Sequence, residues 1–63
     1  MIHPTAIVHP GAVLGADVAI GPFAVIGEHV KIGRGTRVGA SSVIDGWTEI
    51  GENNQIYHLT SVG

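Results

Sequence analysis

Residues 20–39 read IGPFAVIGEHVKIGRGTRVG, with an aliphatic residue at 20, 26, 32 and 38 and a glycine after each one. The same step of six extends outward in both directions. It reaches Ile2, Val8 and Leu14 on one side, and Ile44, Ile50, Ile56 and Val62 on the other. All eleven positions are Ile, Leu or Val, types that fill 18 of the 63 residues. Chance would give such a run with a probability on the order of one in a million, so the repeat is a property of the chain.

The neighbouring positions follow the same step. Two places before each aliphatic stands a mostly small residue: Ala6, Ala12, Val18, Ala24, Val30, Thr36, Ser42, Thr48, Asn54 and Thr60. Side chains two apart on a strand point to the same side. Each repeat therefore reads as a short strand with one large and one small inward side chain, followed by a corner. Glycine fills most first corner positions (15, 21, 27, 33, 39, 51 and 63), which suits positive φ or a tight backbone approach. Asp45 substitutes in part, whereas His3, His9 and Tyr57 fit this position less well. Pro4, Pro10 and Pro22 all fall one place later, where a missing N–H breaks no ladder. Ten glycines and sixteen isoleucines plus valines argue against helix, and no window carries a helical apolar stripe free of glycine or proline.

Sixty-three residues form one domain at most, residues 1–63. A chain this short buries little of its surface and needs a staple or a partner. It has no cysteine, so no disulfide supplies the staple. A formal charge of −2 with only Lys31, Arg34 and Arg37 as basic residues leaves no footprint for nucleic acid. The opening MIHPTAIVHP lacks the basic start and apolar run of a signal peptide, and no apolar run approaches membrane-spanning length. A cytoplasmic protein without membrane insertion is expected.

The [LIV]-G-x-x-[small]-x pattern resembles the hexapeptide-repeat family over the whole chain. That resemblance implies an all-β fold, the left-handed parallel β-helix, with three repeats per coil and about three and a half coils. Its handedness comes from the resemblance, because ordinary crossovers favour the right-handed connection. Residues eighteen apart then stack. The interior columns become Ile2/Ile20/Val38/Ile56, Val8/Ile26/Ile44/Val62 and Leu14/Ile32/Ile50. Outside, one face carries Ala19, Arg37 and Gln55. A second carries Val13, Lys31 and Glu49, with Lys31 and Glu49 expected as a solvated cross-strand pair. The third carries Ile7, Val25, Val43 and Ser61, with Thr5, Phe23, Ser41 and Leu59 beside them. Aligned exposed apolar residues mark contacts. Ile7, Phe23, Val25, Val43 and Leu59 are therefore the candidate oligomer interface, and the family's habit implies a homotrimer.

Several segments narrow the resemblance: HPTAIVHPGAVLG, IGPFAVIG, DGWTEIGENNQIY and the closing SVG. Together they resemble the N-terminal part of the UDP-N-acetylglucosamine O-acyltransferase family of lipid A assembly. The resemblance implies transfer of a 3-hydroxyacyl group from acyl carrier protein to the sugar 3-hydroxyl of UDP-GlcNAc, with a histidine as general base. It implies no cofactor. It also places that histidine many coils downstream, and the charged substrate loop just beyond the S-[IV]-G step at residues 61–63. Gly63 thus reads as a cut, and no residue of the chain matches a catalytic, substrate-binding or metal-binding position of the family. Other hexapeptide acyltransferases, such as the N-acyltransferase later in the same pathway, and a purely structural trimerising solenoid are the alternatives. His3, His9, His29 and His58 read as corner residues in no common column. Trp47 reads as an outward cover for a neighbouring rung or subunit edge, and Asn53 and Asn54 as turn residues. Asp45, Glu49 and Glu52 read as surface charges. The last rung, Ile50, Ile56 and Val62, leaves an open strand edge that invites pairing.

Overall fold

The computed structural model describes residues 1–63 and contains strands and corners without a helix. Ten short strands form: β1 (Ile7–Val8), β2 (Val13–Leu14), β3 (Ala19–Ile20), β4 (Val25–Ile26), β5 (Val30–Ile32), β6 (Arg37–Val38), β7 (Val43–Ile44), β8 (Thr48–Ile50), β9 (Gln55–Ile56) and β10 (Ser61–Val62). They collect into three parallel sheets in the orders β1-β4-β7-β10, β2-β5-β8 and β3-β6-β9. Every pairing joins residues eighteen apart, as in Ile7↔Val25, Lys31↔Glu49 and Val38↔Ile56. A single bridge from Ile2 to Ile20 extends the third sheet by one rung. The chain is a parallel β-helix with three walls, about 20 Å in each dimension.

The interior follows from the repeat. Ile20, Ile26, Ile32, Val38 and Ile44 are buried, together with Val18, Ala24 and Val30 from the small column. Val8, Leu14, Ile50, Ile56 and Val62 pack against that cluster but stay half-exposed, because the end coils lack a neighbour on one side. Two buried residues are polar, and both are satisfied. Thr36 Oγ1 donates to the Gly51 carbonyl at 2.7 Å and accepts from the Asn54 N–H at 3.2 Å. Ser42 Oγ donates to the Tyr57 carbonyl at 2.9 Å. Each hydroxyl ties a rung to the corner of the coil above.

The corners differ from the sequence reading in one respect. Positive φ falls two places after the first corner position at Asp17, Phe23, Gly35, Ser41, Asn53 and Leu59, one place after it at Gly46, and on the repeat glycine itself at Gly63. At Gly21–Ala24 the Ala24 N–H reaches the Gly21 carbonyl at 3.4 Å, with Pro22 second in the turn and Phe23 third at φ 60°. That is the arrangement of a type II turn. The repeat glycine is needed instead for close approach. A Cβ on Gly33 would sit 2.6 Å from the Gly51 carbonyl carbon in the coil above. The corners of His3 and His9 lack the left-handed residue. Their Nδ1 atoms accept the N–H groups of Thr5 at 3.2 Å and Gly11 at 3.0 Å. Tyr57 takes the same position in the last of these coils, where it is exposed. Asp45 caps its own corner, its Oδ1 accepting from the Gly46 N–H at 2.8 Å. Of the two turn asparagines, Asn53 holds φ 56° as expected, while Asn54 stands in the small column with its N–H on Thr36.

Candidate interaction face

The outer side of the β1-β4-β7-β10 sheet places Ile7, Val25, Val43 and Ser61 in one ladder. Alternation fixes this: Val8, Ile26, Ile44 and Val62 point inward, so their predecessors point out. Ile7 is 64% exposed and Val43 40% exposed, while Val25 at the centre is half-buried. The corner column beside it carries Phe23, 67% exposed, and Leu59, 76% exposed. Both hold left-handed backbone, at φ 60° and 58°. Bulky residues are disfavoured there, by roughly 1–2 kcal/mol each. The N–H groups of the column are all tied down. Phe23 donates to Thr5 Oγ1 at 3.1 Å, Ser41 to the Pro22 carbonyl at 2.9 Å and Leu59 to the Ala40 carbonyl at 3.0 Å. The five residues singled out from the sequence thus share one rigid wall and its adjoining corner.

The remaining chemistry-bearing side chains are dispersed. No three histidine or carboxylate side chains gather at one point. His29 and Trp47, eighteen apart, stack face to face with centroids 3.7 Å apart and planes 6° from parallel. Trp47 is otherwise 86% exposed, so it covers the rung below as expected, although its partner was not foreseen. Their eighteen-residue separation, one full coil, was the available signal. Lys31 and Glu49 are ladder partners, but they form no ion pair within 4.0 Å; the contact of that kind joins His29 Nε2 to Glu28 Oε1 at 3.6 Å, among exposed side chains. No helix of the structure is long and apolar enough to cross a membrane.

The three-walled coil, stepped six residues at a time, defines a class: the hexapeptide-repeat β-helix proteins. A family model described as bacterial transferase hexapeptide (six repeats) matches residues 11–46, and the chain belongs to that family. Solved structures narrow the likeness. UDP-N-acetylglucosamine acyltransferase from Campylobacter jejuni is 33% identical, with a TM-score of 0.98 over all of this chain and 25% of its own. LpxA from Acinetobacter baumannii is 50% identical, with a TM-score of 0.95 over 98% of this chain and 24% of its own. The Arabidopsis UDP-N-acetylglucosamine acyltransferase is 44% identical, with a TM-score of 0.98 over 100% of this chain and 22% of its own. The chain therefore spans about a quarter of the length of the acyltransferases it resembles.

Proposed function

We propose that residues 1–63 are the opening coils of a UDP-N-acetylglucosamine 3-O-acyltransferase that takes a 3-hydroxyacyl group from acyl carrier protein in lipid A synthesis. The supporting observation is 50% identity to LpxA from Acinetobacter baumannii over 98% of this chain, with a TM-score of 0.95. Acyl transfer to a sugar hydroxyl needs a base within hydrogen-bond reach of that hydroxyl and donors facing the developing oxyanion. The histidines of these coils stand at separate corners, and two of them spend Nδ1 on their own turns. In this reading the coils carry no reacting group. They supply a rigid wall, and the apolar face of Ile7, Phe23, Val25, Val43 and Leu59 joins subunits into a cytoplasmic homotrimer.

A chimera tests the assignment. Residues 1–63 replace the matching quarter of Acinetobacter baumannii LpxA, and acyl transfer from acyl carrier protein to UDP-GlcNAc is measured. The chimera is expected to keep activity within about tenfold of the parent, and the 63-residue chain alone to show none. A folded, trimeric but inactive chimera would count against the assignment. Turnover by the chain alone would show that the reacting groups are present after all.

A further inference from the structure

The outer ladder of the third sheet runs Ala19, Arg37, Gln55, and Met1 extends it below Ala19 because Ile2 bridges to Ile20. Ala19 is the one short step between two long side chains. A notch opens there with a volume of about 330 Å³, walled by Met1, Ile2 and Arg37, floored by Ala19 and Gly21, and flanked by His3. That volume lies at the small end of the range for small-molecule sites. The floor is apolar, and no carboxylate lines it.

Two donors overlook this floor. The chain's ion contact within 4.0 Å is between His29 and Glu28, so the Arg37 guanidinium has no acidic partner, and it makes no side-chain hydrogen bond. His3 Nδ1 is engaged locally, with the Thr5 N–H at 3.2 Å and Thr5 Oγ1 at 2.8 Å, and its Nε2 has no partner and serves as a donor whenever it carries a proton. A guanidinium fork matches a carboxylate through two parallel hydrogen bonds. A bare inorganic anion leaves the apolar floor wet, and an uncharged chain leaves both donors unused.

We propose that this notch binds an aliphatic monocarboxylate, with its head on Arg37 and His3 and its chain over Ala19 and Gly21. The test is an amide NMR titration of the whole chain with octanoate below its aggregation concentration. Saturable shifts are expected at Ala19, Gly21 and Arg37, with acetate and octanol each binding about tenfold more weakly or worse. Arg37→Gln should weaken octanoate binding about tenfold. Ala19→Leu, facing outward, keeps the charge, fills the notch and should abolish binding while the other resonances stay in place. Equal binding of octanol, an unchanged affinity in either variant, or shifts that never saturate would each overturn the proposal. So would movement of the same resonances with protein concentration alone, which would mean that a second copy covers the notch.

Discussion

Thr36 shows how little polarity this core tolerates and how completely it is used. Its side chain is fully buried, and one hydroxyl serves two groups of the coil above, the Gly51 carbonyl and the Asn54 N–H. Thr36→Val keeps the shape and strips both groups of their partner. Each hydrogen bond lost costs about 0.5–1.5 kcal/mol, so the variant should melt measurably lower in a denaturant or thermal unfolding experiment. Ser42→Ala removes a single hydrogen bond, the one to the Tyr57 carbonyl. Its loss should be the smaller of the two. Equal stability of Thr36→Val and the unaltered chain would mean that the hydroxyl is not what ties these rungs together.

At the scale of the rung, the question is why glycine recurs after the aliphatic residue. Gly15, Gly33 and Gly51 share one column, yet they meet different surroundings. A Cβ on Gly33 would lie 2.6 Å from backbone of the coil above, whereas one on Gly51 meets nothing nearer than the Asn54 side-chain amide at 3.4 Å. Gly33→Ala must push two coils apart and should cost at least about 1–3 kcal/mol; Gly51→Ala should be close to neutral. Unfolding curves of the two variants side by side decide it, and equal losses would point to backbone entropy instead of stacking. The same column marks what the sequence could and could not disclose. The eighteen-residue register needed only the step of six and a family's three-walled coil, and it placed every strand pair. The left-handed corner residue left no such trace. Phe23 and Leu59 hold it, two types that intrinsic preference steers away from positive φ, beside Asp17, Gly35 and Asn53, which accept it, so no single residue type marks the column. Register and turn type are set by different atoms: the first by what is buried, the second by how the next coil's backbone hangs on the corner.

For the molecule as a whole, the outward ladder Ile7, Val25, Val43 was legible from alternation alone, because fixing the inward set fixes the outward one. What lies against it was not, since the same exposed face serves equally for any apolar partner. The five-residue wall predicts self-association, and two variants separate association from folding. Val25 stands half-buried at the centre of the wall, where Val25→Glu places a carboxylate. Burying an unpaired charge costs several kcal/mol, so a trimer should fall to monomer, with association weakened by at least about a hundredfold. Phe23→Asn acts on both properties with opposite signs. Asparagine accepts φ 60° more readily than phenylalanine, so the isolated chain should gain about 1 kcal/mol, while loss of the exposed ring should weaken assembly. Light scattering after size exclusion reads the mass, and unfolding at high dilution reads the fold. A higher unfolding midpoint together with a lower mass would assign Phe23 to the contact. An unaltered chain that is monomeric at every concentration, or a Val25→Glu chain of unchanged mass, would leave this face without a subunit to cover it.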